Sequence, residues 1–114
     1  MTLIDDIEDR STRVVDVQPM EVASTRSARR RGLLGRDGID GALLLQPARS
    51  VHTFGMRFAI DVAHLDRQGT VVRMTTMPPN RIGAIVPGAR SVLEAMSGSF
   101  ARWGLAVGDR VALP

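Results

Sequence analysis

The stretch SVHTFGMRFAIDVAHLDRQG, residues 50–69, decides the fold because it combines a strand-like apolar pattern with an internal glycine. As one uninterrupted strand it would separate His52 from His64 by about 40 Å, at roughly 3.3 Å per residue. A domain of this length has a radius of gyration of only about 13 Å, so the strand must break. We expect the break at Gly55, because a glycine within a strand pattern commonly marks a bulge or a bend.

The residues after the break predict a β-hairpin. The loop DRQG, Asp66–Gly69, is short and polar, contains glycine, and lies between the strand-like runs IDVAHL and TVVRM. The segment TTMPPNRIGAIVPG, residues 75–88, reads as a long loop. Further strands are predicted at RVVDVQP (13–19), GALLLQP (41–47), SVLEAM (91–96) and the end of LAVGDRVAL (105–113).

A short helix is predicted within STRSARRRGLLG, residues 24–35, with Ser24 or Thr25 as its N-cap. Gly35 is the expected left-handed residue that ends this helix. Gly32 would then lie inside the helix, where glycine costs about 1 kcal/mol relative to alanine. We therefore expect another element to approach the backbone closely at Gly32.

A second short helix is predicted within SGSFARWG, residues 97–104, with Ser97 or Ser99 as N-cap and Gly104 at its end. Several short strands with two minor helices predict a mainly β fold, or α+β in a looser scheme, arranged as a sandwich or a barrel.

Composition predicts one domain, with a flexible tail over residues 1–12 and a single globular domain over residues 13–114. The absence of cysteine excludes disulfides, thiolate metal sites and cysteine nucleophiles. The N-terminus lacks the pattern of a secretory signal, and no 18-residue apolar run occurs, so we expect a cytoplasmic protein without a membrane partner.

All 15 basic residues are arginine, against 12 acidic residues, for a formal charge of +3. Arginine favours anionic groups through its planar donor fork. A charge of +3 over a whole domain is nevertheless far from a nucleic-acid footprint, so nucleic-acid binding is not expected. The triple arginine at residues 29–31 also fits a solvated helix end.

The bend at Gly55 also predicts a site. It could bring His52, Arg57 and Asp61 together, with Arg36 as a further anion-binding group. Two structural alternatives stay open, since Arg57 and Asp61 could form an ion pair that holds the bend, and His52 could be a strand-end histidine bonded to backbone. His64 is expected to be structural on the same grounds.

No metal or cofactor is expected. The possible metal ligands His52, Asp61, His64 and Asp66 match no established ligand spacing. The sequence contains no Gly-x-Ser-x-Gly elbow, P-loop or dinucleotide fingerprint, so no catalytic residue can be assigned from these motifs.

Three segments carry a family resemblance: RGLLGR (31–36), HTFGMRFAIDVAHLD (52–66) and GLAVGDRV (104–111). In order and spacing the chain resembles the domain of unknown function family number 192 from about Val14 to Leu113. The resemblance implies a compact, mainly β, jelly-roll-like fold and implies no reaction. The family usually has proline where this chain has Ala59, and a proline there would enforce the bend.

The favoured hypothesis is a non-enzymatic domain that binds a small anionic or polar ligand near Gly55 through His52, Arg57, Asp61 and Arg36. One alternative is a hydrolase-type or other enzyme in which Asp61 orients His52 as general base. The other alternative is a protein-interaction scaffold without a small-molecule site, which a flat surface beside His52 would favour.

Overall fold

The computed structural model describes residues 12–114, so the predicted tail lies, except for Thr12, outside the described residues. The described chain forms a mainly β domain with two short helices, as the sequence predicts. The elements in chain order are β1 (Val14–Val15), β2 (Met20–Ala23), α1 (Arg26–Arg31), β3 (Ala42–Leu45), β4 (Ile60–Leu65), β5 (Val71–Met77), β6 (Ser91–Met96), α2 (Ser99–Trp103) and β7 (Arg110–Val111).

Five of the strands form one mixed sheet in the order β2-β3-β6-β4-β5. The pairs β3–β6, β6–β4 and β4–β5 are antiparallel, whereas β2 pairs with β3 in parallel. Strands β1 and β7 form a separate parallel pair. The large sheet has two edges, β2 and β5, so it is not a closed barrel, and jelly-roll connectivity stays a prediction.

Apolar clusters cover both faces of the large sheet. The first face carries Leu44, Leu65 and Leu93, which pack with Phe100 of α2. The second face carries Leu43, Leu45 and Val62, which pack with Leu33 after α1 and with Met56. Because both faces are covered, every residue of the interior strand β4 is buried, and a polar side chain on β4 or β6 that lacks a partner within the protein is energetically costly.

The predicted hairpin is confirmed. Strands β4 and β5 pair in antiparallel fashion around the loop Asp66–Gly69. The Asp66 carboxylate accepts hydrogen bonds from the amides of Gln68 and Thr70 at 2.9 and 3.0 Å, and Gly69 has φ +85°. An aspartate whose carboxylate accepts from amides that follow it in the chain, together with a later glycine with positive φ, is typical of such turns.

The N-terminal strand prediction is only partly confirmed. Residues Val14 and Val15 are paired, but the longer strand is β2, which begins after Pro19 and was not predicted. Proline has no amide hydrogen and so interrupts a strand ladder. Its carbonyl still accepts a bond from the Ala42 amide at 3.0 Å, and this contact aligns β2 with β3.

Helix α1 begins as predicted and ends earlier. The Thr25 hydroxyl accepts from the Ala28 amide at 3.1 Å, which confirms Thr25 as N-cap. The predicted end at Gly35 is wrong, because Gly32, with φ +49°, terminates the helix and donates its amide to Ala28. Glycine is favoured at this backbone angle.

Helix α2 ends at Gly104 as predicted, but neither Ser97 nor Ser99 caps it. The N-cap position is Gly98, and the acceptor that a serine was expected to supply is the carboxylate of Asp61 on β4. Neither helix of residues 12–114 is long and apolar enough to cross a membrane.

Candidate functional site

The bend at Gly55 exists and is held by loop 78–82. Gly55 has φ +74°, and its amide donates to the Asn80 side chain at 3.0 Å. The buried Thr53 hydroxyl donates to the Pro78 carbonyl at 2.6 Å and accepts from the Arg81 amide at 2.9 Å. The hydrogen bonds that Thr53 and Gly55 make with residues 78–81 therefore stabilise the bend.

His52 lies at the surface just before the bend. Its Nδ1 accepts a hydrogen bond from the Phe54 amide at 3.3 Å, and the two rings stand 5.4 Å apart at an angle of 34°. The residue also forms an isolated backbone bridge with Ile82. The bond to Nδ1 fits the structural alternative from the sequence, and it leaves the other ring nitrogen as a group that a ligand could reach.

A cavity of about 120 Å³ opens beside His52, between the end of α1 and residues 50–56. Part of its wall is apolar and is formed by Leu33, Leu45, Val51 and Met56. The arginine-rich end of α1, residues 29–31, lines the cavity together with Ser50 and His52. The Arg29 side chain donates to the Ser24 carbonyl, whereas the side chains of Arg30 and Arg31 make no hydrogen bond within the described residues.

Glu94 of β6 also lines this cavity. It stands on the second face of the sheet, opposite Val62 on β4 and Leu43 on β3, and is only 4% exposed. Within residues 12–114, its Oε1 atom is buried without a hydrogen-bond partner. Burial raises the pKa of Glu94 from 4.5 to about 7. The cavity therefore contains a carboxyl that is about half protonated near pH 7 and has an unpartnered oxygen.

Gly32 is close to this carboxyl. A Cβ atom at Gly32 would lie 3.4 Å from Glu94 Oε1. The close backbone approach predicted at Gly32 is wrong: the neighbour is the Glu94 side chain at ordinary contact distance, and glycine suits this position because the helix ends there with positive φ. The missing side chain keeps the space beside Oε1 open, and the glycine also ends α1.

Glu94 is not among the site residues predicted from the sequence. The available signal is its position in the strand SVLEAM, where it shares a face with Val92 and is the only charged residue. An acidic residue at an inward position of a central strand marks a buried carboxyl. Recognising it required the knowledge that β6 lies at the centre of the sheet, with both faces covered.

Arg57 and Asp61 are not paired, so the predicted ion pair is wrong. Arg57 lies on the turn before β4 and forms an exposed salt bridge with Asp37 at 2.9 Å. Asp61 is on β4, buried beneath the start of α2, and accepts from Thr76 Oγ1 at 2.9 Å and from the amides of Gly98 and Phe100 at 3.0 and 3.1 Å. The two residues are separated because the turn places Arg57 outside the sheet.

Replacing Arg57 with alanine should change the free energy of unfolding by less than about 1 kcal/mol, because exposed ion pairs contribute little. The side chains of Arg57 and Asp37 are 61% and 87% exposed. Urea denaturation of Arg57→Ala and of Asp37→Ala measures this directly. A loss of several kcal/mol in Arg57→Ala alone would show that Arg57 has a structural role beyond the pair.

Arg36 does not line the cavity that contains Glu94. It forms a bidentate pair with Glu21, with N–O distances of 2.8 and 3.0 Å. The bond to Arg36 lowers the pKa of Glu21. Both residues line a second, more open cavity of about 340 Å³, which also reaches Arg31 and Gly32.

The four residues predicted to bind a ligand therefore do not form one cluster. His52 lines the cavity that contains Glu94, Arg36 lines the adjacent cavity, Arg57 is paired with Asp37, and Asp61 is bonded at α2. No hydrogen bond joins His52 to Asp61 in the part of the chain that the structure describes. A role of these residues in ligand binding stays a prediction.

His64 is fully buried on β4, and among the described residues neither ring nitrogen has a hydrogen-bond partner. Burial lowers the pKa of His64; nearby Arg73 lowers it further, and the backbone of Ala84 and Arg49 opposes the shift. No three His, Asp or Glu side chains within residues 12–114 are grouped so as to hold a metal ion.

Two solved structures share this fold. A protein of unknown function from Novosphingobium aromaticivorans DSM 12444 matches with a TM-score of 0.71 and 20% identity, over 80% of this chain and 71% of that chain. A proposed transcription regulator from Sinorhizobium meliloti 1021 matches with a TM-score of 0.67 and 24% identity, over 80% of this chain and 78% of that chain. At such identities the likeness shows the fold alone.

No curated protein sequence matches the chain. The family model described as DUF192, "Uncharacterized ACR", matches residues 7–113. This match spans the three segments on which the resemblance was based, from RGLLGR through HTFGMRFAIDVAHLD to GLAVGDRV. The chain therefore belongs to the DUF192 family.

Proposed function

We propose that this domain binds a small polar or anionic molecule in the cavity beside the Gly55 bend, as a cytoplasmic protein without catalytic activity. The observation that carries the proposal is the Glu94 carboxyl, which lines the cavity with a buried and unpartnered oxygen. Leaving a buried polar atom unpaired costs roughly 1–3 kcal/mol, and a ligand that supplies the partner recovers that cost.

The surroundings of the cavity support an anionic ligand. Arg30 and Arg31 lie at the end of α1 beside it, and His52 lies on the other side. Residues 12–114 contain 14 arginines and eight acidic residues, so this part of the chain carries a formal charge of +6. A mouth with excess positive charge favours anions and disfavours cations.

The other two hypotheses receive less support. For the enzyme, the oxygens of Asp61 are bonded to Thr76 and to α2 rather than to His52. For the interaction scaffold, a flat surface beside His52 would be needed, and a cavity lies there instead. The exposed apolar residues Ile82 and Ile85 are the remaining argument for a protein partner.

The proposal predicts that a small carboxylate or other anion raises the melting temperature of the purified protein. A ligand at 100 times its dissociation constant adds about 2.7 kcal/mol, which is worth several degrees in a domain of this size. A thermal-shift panel of carboxylates, phosphates, sugars, nucleotides, divalent metals and polyanions provides the measurement.

Matched variants locate the binding site. The stabilisation should be lost in Arg31→Ala and His52→Ala and kept in Arg26→Ala, which removes an arginine from the same helix but away from the cavity. Arg57→Ala tests whether Arg57, one of the four residues predicted from the sequence, contributes to ligand binding. A ligand that still binds Arg31→Ala and His52→Ala, or no stabilisation by any compound, contradicts the proposal.

A further inference from the structure

Resting on that proposed function, we infer that the cavity takes a short organic acid with a second oxygen function, whose carboxylate meets Arg30 and Arg31 while the second oxygen bonds Glu94. The second oxygen is a hydroxyl or a carbonyl. This assignment follows from the chemical groups that line the cavity, with Glu94 buried and Arg30 and Arg31 exposed, and from the cavity volume.

The first step concerns Glu94. Its carboxyl lines the cavity, and its Oε1 has no partner among the described residues, so an occupant that presents a hydrogen-bonding group to this carboxyl is favoured. A neutral carboxyl supplies one donor and retains acceptor capacity, so it can pair with either a hydroxyl or a carbonyl oxygen. A purely hydrocarbon end would leave the carboxyl unpaired and would be disfavoured for that reason.

The second step concerns the walls. Leu33, Leu45, Val51 and Met56 are buried and apolar, and each lines the cavity. They offer no hydrogen bonds from their side chains to a ligand. The part of the ligand that contacts these four side chains is therefore hydrocarbon, which disfavours sugars and other compounds with polar groups along their whole length.

The third step concerns size and charge. A cavity of about 150 Å³ accommodates one benzene molecule, so a cavity of about 120 Å³ holds roughly four or five heavy atoms. Arg30 and Arg31 are exposed, so the carboxylate of the ligand lies at the mouth and this limit applies to the remainder, which is four heavy atoms in a four-carbon hydroxy acid. Nucleotides are too large to enter. An ammonium in place of the second oxygen would require two opposite charges to be buried among apolar side chains, and that desolvation opposes the attraction between them. The arginines that line the cavity add repulsion to a cation.

A matched set of four-carbon probes tests the inference by isothermal titration calorimetry. 4-Hydroxybutyrate carries both required groups, butyrate lacks the second oxygen, 1,4-butanediol lacks the carboxylate, and 4-aminobutyrate replaces the hydroxyl with an ammonium. We expect 4-hydroxybutyrate to bind the wild-type protein roughly 10- to 100-fold more tightly than butyrate, because butyrate leaves Glu94 unpaired.

Two sets of variants separate the two ends of the ligand. In Glu94→Leu the preference for 4-hydroxybutyrate over butyrate should disappear, because no polar atom then faces the ligand. In the double variant Arg30→Ala/Arg31→Ala both acids should weaken while 1,4-butanediol is unchanged. Arg26→Ala, on the same helix and outside the cavity, should bind all four probes as the wild type does.

The outcomes distinguish this inference from the proposed function. Equal binding of butyrate and 4-hydroxybutyrate, with both weakened in the double arginine variant, overturns the second oxygen while keeping an anion site. Tighter binding of 4-aminobutyrate overturns the choice of oxygen over ammonium. If none of the probes binds but another compound of the panel does, and Arg31→Ala abolishes its binding, the ligand class is wrong and the site stands.

Discussion

Replacing Glu94 with glutamine should make the protein progressively more stable than the wild type as the pH rises from about 4.5 to about 7. Burial raises the pKa of Glu94 from 4.5 to about 7 in the folded state. Below pH 4.5 the carboxyl is neutral in both the folded and the unfolded states. Between the two values the unfolded state loses the proton and the folded state retains it, which favours unfolding by about 1.4 kcal/mol per pH unit.

Above about pH 7 the carboxyl is ionised in both the folded and the unfolded states. The loss in the free energy of unfolding of the wild type then levels off at about 3 kcal/mol. Glutamine has nearly the same shape as the neutral acid and does not ionise. Chemical denaturation of both proteins at several pH values from 4 to 8 measures the difference. We expect the two free energies of unfolding to be similar near pH 4.5 and to diverge in favour of Glu94→Gln above it.

Glu21→Gln is a matched control with the opposite sign. Glu21 is exposed, and its bond to Arg36 lowers its pKa, so the wild type should gain stability over this variant as the pH rises through the acidic range. The charged and titratable groups around Glu94 are Arg29, Arg30 and Arg31 of α1, His52 at the cavity and His64 on the adjacent strand β4.

Titration of His64 does not reproduce this effect. Its pKa is lowered, so the stability contributed by neutral His64 is lost as the pH falls below about 6.5, the reverse of the Glu94 trend. Comparison of each variant with the wild type removes the His64 contribution common to both proteins. A difference between Glu94→Gln and the wild type that stays constant from pH 4 to pH 8 would show that the Glu94 carboxyl is solvated or paired.

The Glu94 carboxyl lowers the stability of the folded state at neutral pH, and this cost makes the residue informative about function. Apolar or neutral side chains would fill this position on β6 with less cost at neutral pH. Functional sites commonly retain such locally unfavourable groups. A more stable Glu94→Gln, together with loss of the preference for a second ligand oxygen in Glu94→Leu, would connect the stability cost to binding.

The features that the sequence predicted are those that local chemistry determines. Gly55 lies in a turn with positive φ, Asp66 and Gly69 form the hairpin loop, and Thr25 caps α1. In each case the residue itself carries the conformational preference, and the hydrogen-bond partners of Thr25 and Asp66 are only a few positions away. Periodicity and turn residues were sufficient for these elements and for the mainly β class.

The features that the sequence did not predict depend on partners that are distant along the chain. Arg57 pairs with Asp37, 20 residues earlier, rather than with Asp61, four residues later. The first helix ends at Gly32, beside Glu94 of a strand about 60 residues away. These two contacts depend on the order of the strands in the sheet. The apolar patterns of the individual strands do not specify that order.

Asp61 provides the other large expected effect. Its carboxylate accepts three hydrogen bonds, from Thr76 Oγ1 on the edge strand β5 and from the amides of Gly98 and Phe100 at the start of α2. A carboxylate at the first amides of a helix satisfies donors that have no partner within the helix. This side chain therefore ties the sheet to α2 from a position 38 residues before the helix begins.

Asp61→Ala should lower the free energy of unfolding by about 3 kcal/mol or more, because it leaves buried amide donors unpaired and opens a small void. Thr76→Val removes only one of the three bonds, to a hydroxyl on an edge strand, and should cost about 1 kcal/mol. Asp61→Asn keeps one acceptor oxygen and should fall between the two. Urea denaturation of the three variants ranks these losses.

Amide hydrogen exchange identifies where the stability is lost. In Asp61→Ala the amides of Gly98 and Phe100 should exchange faster than in the wild type, whereas those of the hairpin around Gly69 should follow the global change only. If Asp61→Ala instead keeps nearly full stability and loses ligand binding, Asp61 acts at a site, as the sequence first suggested. Loss of stability with ligand binding intact at saturation assigns Asp61 to the attachment of α2, and leaves recognition to the cavity that contains Glu94.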